Sequence, residues 1–179
     1  MSRLIGLVGY QRAGKTTSAK LMVKHHNFVR TRFAGTLRDM LKALIPSNQF
    51  YWLEGEGKQL PCPFLEGKTP VEAMQALGTQ WGRELIHPDL WLNHWKRKVA
   101  SLLNRGVDVV VDDCRFPNEF EAIINLGGQL YQVMREGYDR ASDHDSEAYV
   151  SSAPICDTIN NPGTMQGLCE VLDNLLRAS

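Results

Sequence analysis

The sequence predicts an α/β protein built on a parallel sheet of about five strands with helices on both faces. Apolar runs at 4–8, 28–33, 107–111, 129–134 and 155–159 read as buried strands, and helical patterns lie between most of them. A third observation marks the working edge of that sheet. Gly9 to Thr16 read G-Y-Q-R-A-G-K-T, directly after the first apolar run and directly before a helical stretch. Ligands of such sheets bind at the carboxyl ends of the strands.

The first run is Leu4-Ile5-Gly6-Leu7-Val8, and the segment after it fits the phosphate-binding pattern G-x-x-x-x-G-K-[ST]. Each part has a physical task. Gly9 and Gly14 let the chain turn without a Cβ in the way. Backbone N–H groups from about Arg12 to Thr16 ring a β-phosphate, with the helix N-terminus behind them. Lys15 spans the β- and γ-phosphates of ATP, and the Thr16 hydroxyl ligates Mg²⁺. Gln11 and Ala13 belong to the expected nucleotide-binding set.

Composition narrows the class. The 179 residues suit one domain with a sizeable core. Lys plus Arg equals Asp plus Glu at 20 each, and this balance argues against a nucleic-acid partner. Cys62, Cys114, Cys156 and Cys169 lie far apart, which suits free thiols in a reducing cytoplasm. The histidines show no metal-ligand spacing, and His25-His26 reads as a partner of a helix C-terminus. No run approaches the length of a membrane span, and Met1-Ser2-Arg3 enters a strand without a signal peptide.

Between the second and third strands lies a long excursion. Pro46 to Lys68 reads as a loop, either functional or a plain surface insertion. Thr69-Pro70-Val71-Glu72 is a capping box that starts a helix. Along that helix Val71, Met74, Leu77, Trp81 and Leu85 recur at core-facing spacing. Gln75, Thr79 and Arg83 form a polar stripe, with Gly78 and Gly82 beside it. The two glycines imply either a close approach by a ligand or tight packing on a neighbouring helix. Asp89 reads as the next N-cap. Trp91 follows in the first turn, where its indole either stacks on a base or packs in the core.

The third strand runs into Asp112-Asp113-Cys114-Arg115-Phe116, and Pro117 starts a helix with Glu119 in its first turn. A hydrophobic strand ending in Asp is the second acidic site of phosphate-loop proteins, near Mg²⁺. Asp113, Arg115 and Glu119 emerge at the same edge. After Met134 come Arg135 and Arg140 around Gly137, a composition suited to a lid that closes on phosphates. The closing helix places Met165, Leu168, Leu172, Leu175 and Leu176 on one apolar face.

Taken together, G-Y-Q-R-A-G-K-T-T, F-A-G-T-L-R-D-M-L-K, Q-A-L-G-T-Q-W-G-R, P-D-L-W and D-D-C-R-F-x-N-E resemble the bacteriophage-type deoxynucleoside monophosphate kinases. That family has the P-loop nucleoside monophosphate kinase fold. The resemblance runs from Gly6 to about Glu147 and more weakly to the end. It implies a single three-layer kinase domain over 1–179, with an acceptor-binding excursion at about 35–105 and a lid at about 135–150. It implies transfer of the ATP γ-phosphoryl group to a deoxynucleoside monophosphate, with ATP and Mg²⁺ required. By the same resemblance Thr17 joins Lys15 and Thr16 in serving ATP. Lys15, Asp113, Arg115, Arg135 and Arg140 are the implied catalytic residues. The implied acceptor set is Arg38, Gln75, Gly78, Thr79, Arg83, Trp91, Asp113, Arg115 and Glu119, and the implied metal ligands are Thr16 and Asp112. The chain departs from the family at Val71 and Glu72, where a basic residue is common. A homodimer in the cytoplasm, of a bacterial host if phage-encoded, is also implied. Two other readings stay open: a kinase of another small acceptor (dephospho-coenzyme A, a sugar acid, phosphomevalonate) and an ATP-binding switch protein without transfer activity.

Overall fold

The five apolar runs pair as one parallel sheet. In the computed structural model, which describes residues 2–138 and 149–178, the strands are β1 (Leu4–Val8), β2 (Val29–Thr31), β3 (Val109–Val111), β4 (Gln129–Met134) and β5 (Asp157–Asn160). Their order across the sheet is β2-β3-β1-β4-β5. The register sets Ile5 beside Val110 and Gln129, and Val133 beside Ile159. All five residues of β1 are buried without alternation, as a strand covered on both faces requires.

The expected bounds hold for β1 and β4, and the other strands are shorter or shifted. Val107 and Asp108 stay outside the ladder. The Asp108 carboxylate accepts the Arg3 backbone N–H at 2.7 Å and its guanidinium at 2.7 and 2.9 Å, and pairing begins at Val109.

Two helices cover one face, α1 (Lys15–His26) and α6 (Met165–Ala178). Ile5, Leu7, Val110 and Ile159 from the sheet meet Leu21, Met22, Leu168 and Leu172 from those helices in one core. Met165 does not join that face. It is 60% exposed, in the first turn of α6. On the opposite face, α5 (Pro117–Asn125) packs on β1 and β4. Gly6 makes this approach possible, because a Cβ there would lie 2.6 Å from both Ile123 Cδ1 and Leu130 Cδ2. The His26 imidazole Nε2 lies 2.9 Å from Asp173 Oδ1, so one of the two helix-end histidines also bridges α1 to α6.

The chain divides into two compact units, residues 1–32 with 96–179, and residues 33–95. The second unit holds α2 (Gly35–Lys42), three short 3₁₀ turns, α3 (Pro70–Gln75) and a π-helical segment, Ala76–Ile86. The helix α4 (Leu90–Asn104) starts in it. The stretch 46–68 is not a loose loop. Leu41, Ile45, Leu53 and Cys62 form a small core of their own, with Phe50, Trp52, Leu65 and Met74 packed against it. The predicted capping box is present: Glu72 N–H donates to Thr69 Oγ1 at 3.1 Å, and Thr69 N–H donates to Glu72 Oε2 at 2.8 Å.

The expected apolar face of the helix after Thr69 holds only in part. Met74 and Leu77 are partly buried, whereas Trp81 and Leu85 are 41% and 75% exposed. The π winding is the reason. Its i→i+5 ladder holds more residues per turn than 3.6, so positions chosen on α-helical spacing drift off the face. No helix among the described residues is long and apolar enough to cross a membrane. All four cysteines are free thiols.

Candidate active site

The sequence from Gly9 to Thr16 folds into the loop that its pattern predicts, between the end of β1 and the start of α1. Gly9 has φ 147° and Gly14 has φ 109°, conformations open to glycine. A Cβ at Gly9 would also meet the Val133 carbonyl at 2.5 Å. Arg12 takes φ 65°, a left-handed conformation that costs free energy in a non-glycine residue. Gly14 is the N-cap of α1 and brings no side chain, so no capping group competes for the first-turn N–H donors. The Lys15 ammonium curls over the loop. It donates to the Gly9 carbonyl and, at 2.8 Å, to the Tyr10 carbonyl.

Across from the loop stands the end of β3. The Thr16 hydroxyl donates to Asp112 Oδ2 at 2.7 Å. These two residues are 96 positions apart in the sequence and meet because β1 and β3 are neighbours. The Asp112 side chain is 1% exposed and is enclosed by two guanidinium groups. Arg30 donates through Nε to Oδ1 at 2.8 Å and through a terminal nitrogen to Oδ2. Arg32 donates through Nε to Oδ1 at 3.1 Å. That terminal nitrogen of Arg30 also lies 3.4 Å from the Thr16 hydroxyl. One carboxylate between two guanidinium groups leaves a net positive charge beside the phosphate loop.

Sequence reasoning missed Arg30 and Arg32. The available signal was their spacing: two apart in the apolar run at 28–33, they fall on one side of an extended chain, with Arg30 in β2 and Arg32 one residue past its end.

After β3 the chain turns into α5. Glu119, in the first turn of that helix, accepts the backbone N–H groups of Arg115 at 2.7 Å and Phe116 at 3.1 Å. Burial first, and then the negative charge of Asp113, push the Glu119 carboxyl up to about 7. Its first duty is therefore to cap α5 and hold the 112–116 turn in shape. Arg115 is exposed at the same turn. Burial, with the carboxylates of Asp113, Glu119 and Asp112, also drives the Cys114 thiol well above its ordinary range, so it is no nucleophile.

A cavity of about 340 Å³ lies beside the loop, bounded by Arg12, Lys15, Thr17, Arg135, Asn161 and Met165 among others. The Arg135 guanidinium stacks over the Tyr138 ring, 5.0 Å from its centroid. Arg140 and the greater part of the expected lid fall outside the described residues. Among the described residues no cluster of three or more His, Cys, Asp or Glu could hold a metal. The oxygen pair of Thr16 and Asp112 does suit a hard cation that also draws on phosphate and water oxygens.

The remaining predicted residues belong to the second unit. Gln75, Thr79 and Arg83 are exposed on and next to the π segment, and Arg38 is half-buried on α2. Trp91 is not placed for stacking on a base. It is 9% exposed, and its indole N–H donates to the Gly78 carbonyl at 2.9 Å. The glycines serve this packing. A Cβ at Gly82 would collide with the indole of Trp91, and one at Gly78 would meet Leu37 Cδ1 at 3.2 Å. The bare backbone that suggested a ligand is filled by the protein itself.

The chain is similar to known kinases in sequence and in fold. The chain is 30% identical over 167 residues to the "Putative deoxynucleotide monophosphate kinase" of Acanthamoeba polyphaga mimivirus, covering 87% of this chain and 86% of that protein. It is 30% identical over 101 residues to the deoxynucleoside-5′-monophosphate kinase of Escherichia phage T5, covering 52% of this chain and 39% of that protein. Among solved structures, a shikimate kinase from Bacteroides thetaiotaomicron superposes with a TM-score of 0.53 at 14% identity, over 98% of both chains. A dephospho-CoA kinase from Campylobacter jejuni superposes with a TM-score of 0.51 at 10% identity, over 99% of this chain and 97% of that one. At such identities these two structures speak for the fold alone. No family model matches the chain.

Proposed function

The chain belongs to the deoxynucleotide monophosphate kinase family, and we propose that it moves the γ-phosphoryl group of ATP to the 5′-phosphate of a deoxynucleoside monophosphate. The observation that carries this reading is the Thr16–Asp112 contact under a glycine-rich loop with a central lysine. That arrangement serves a polyphosphate with a divalent cation.

The donor is assigned to the first unit. Loop amides and the uncapped start of α1 face the β-phosphate. Lys15 stations a positive charge at the loop, held by the Gly9 and Tyr10 carbonyls. Arg12 and Arg135 border the adjoining cavity and add charge where a nucleotide would lie. Thr16 and Asp112 would hold Mg²⁺, which when bound draws charge from the phosphate oxygens.

The acceptor is assigned chiefly to the second unit. Arg38 and Arg83 provide cations, and Gln75 and Thr79 provide hydrogen-bonding groups for a base or sugar. A strong general base is unnecessary, since the acceptor phosphate is already largely ionised at neutral pH. The task is to hold two polyanions in line, so catalysis is positioning and charge neutralisation. Arg30 and Arg32 support it by keeping Asp112 fixed and the strand edge positive.

Incubation with radiolabelled ATP and a panel of acceptors tests the reading. The four deoxynucleoside monophosphates, their ribose counterparts, dephospho-coenzyme A and shikimate form that panel. Label should appear in at least one deoxynucleoside diphosphate. Label only in another acceptor, or only in free phosphate, would overturn it.

A further inference from the structure

Asn161, the first residue after β5, lies 148 positions from Ala13 in the sequence and touches it in the fold. Its carboxamide Nδ2 donates to the Ala13 carbonyl at 2.9 Å. Its Oδ1 accepts the Gly163 N–H at 3.0 Å. Its own backbone N–H donates to the Met134 carbonyl at 2.7 Å. The partners fix which way the amide faces. Ala13 offers an oxygen and Gly163 a proton, so only one orientation satisfies both.

The bond to Ala13 has a consequence across the peptide. In a planar trans peptide, the C=O of Ala13 and the N–H of Gly14 point in opposite directions. Pinning the oxygen on the Asn161 side therefore aims the Gly14 N–H to the other side of the loop. Gly14 is also shaped to this contact, because any Cβ there would collide with the Asn161 carboxamide. Ala13 is buried in the main core, which also restrains this peptide.

We infer that Asn161 is a positioning residue for the phosphate loop. It fixes the Ala13–Gly14 peptide so that the Gly14 N–H is aimed before any ligand arrives, and it ties the loop to the 161–165 wall of the neighbouring cavity. Donors fixed in advance need no reorganisation when an anion binds. This role deepens the donor-site assignment and rests on it for the identity of the anion. Nothing in the amide's contacts depends on which acceptor is used.

The test compares wild type with Asn161→Ala by calorimetric titration of Mg²⁺–ATP and of Mg²⁺–tripolyphosphate, which has no base or sugar. Both affinities should fall roughly tenfold in the variant, the loss of about one well-placed hydrogen bond. Tripolyphosphate binding unchanged within about twofold, with ATP weakened, would overturn the inference and reduce Asn161 to a wall of the cavity. Hydrogen exchange of the ligand-free protein gives a second readout. The Ala13 amide, which donates to the Tyr10 carbonyl across the loop, should exchange faster by roughly tenfold in the variant, and an unchanged rate would count against the proposal. Should Asn161→Ala fail to fold, Asn161→Ser carries the same expectations. Wild-type protein that binds neither ligand would sink the donor-site reading, while the exchange experiment would still decide the role of Asn161.

Discussion

The Thr16 hydroxyl donates to Asp112 Oδ2 at 2.7 Å, joining the first turn of α1 to the end of β3. Everything proposed for the donor site gathers around this contact. It places a hydroxyl and a carboxylate on one spot, beside a lysine and under a row of backbone donors.

Lys15 is the charge at the centre of the loop, and its ammonium donates to the loop carbonyls of Gly9 and Tyr10. Lys15→Ala should lower kcat by roughly 10²–10³-fold, as the loss of one preorganised charge at a reacting centre does. The unfolding midpoint should stay within a few degrees of wild type, because no core contact is lost. Steady-state kinetics and calorimetry check the two halves of this expectation.

Asp112 is the opposite case. Its side chain is 1% exposed, while Arg30 and Arg32 are 20% and 21% exposed. Asp112→Ala leaves two guanidinium groups without their shared carboxylate and should cost about 3 kcal/mol. The figure sits at the low end for a broken buried pair because both cations can turn toward water. Urea unfolding should show the loss, and a cost below about 0.5 kcal/mol would mean that the cluster contributes little.

Glu119 sets a pH dependence. Its carboxyl is raised from 4.5 to about 7, chiefly by burial. Between those values the folded state binds more protons than the unfolded one, so stability falls as pH rises through this window. Below it the group contributes nothing, and above about pH 7 the whole penalty, on the order of 3 kcal/mol, is present. Glu119→Gln keeps an oxygen for the Arg115 and Phe116 N–H groups and cannot ionise. Urea unfolding at pH 5 and pH 8 should therefore differ less for the variant than for wild type. An equal difference in both would remove Glu119 as the source.

The two glycines of the π segment should part company. Gly82→Ala drives a methyl into the Trp91 indole and should destabilise the protein by about 1–3 kcal/mol. Gly78→Ala meets only the flexible end of Leu37 at 3.2 Å and should be neutral or gain up to about 1 kcal/mol from helix propensity. Thermal unfolding of both variants checks the contrast. Acceptor KM should be little changed in Gly78→Ala, and a large rise would restore the ligand-approach reading of that backbone.

Much of the proposed donor site was legible because its parts are contiguous. Gly9, Gly14, Lys15 and Thr16 act through local backbone geometry, and a strand before a helix is enough to present them. Asp112 was legible from its place at the end of an apolar strand. Arg30 and Arg32 were not, because their meaning depends on β2 lying next to β3. The exposed faces of Trp81 and Leu85 were misread for another reason: the π ladder changes the residue spacing, and no residue in that segment announces it. Trp91 offered packing and stacking equally, and only the Gly78 carbonyl at 2.9 Å decides between them.

The sequence by itself determined the sheet class, the phosphate loop and the chemistry that such a loop serves. These depend on short-range order: apolar runs that must be buried, glycines where the chain must turn, and a lysine at a fixed offset. The tertiary structure alone decided which distant groups meet that loop, namely Arg30 and Arg32 around Asp112, and Asn161 on Ala13. Strand order brings residues 80 to 148 positions apart within hydrogen-bond reach, and no local pattern along the chain encodes which strand will lie beside which.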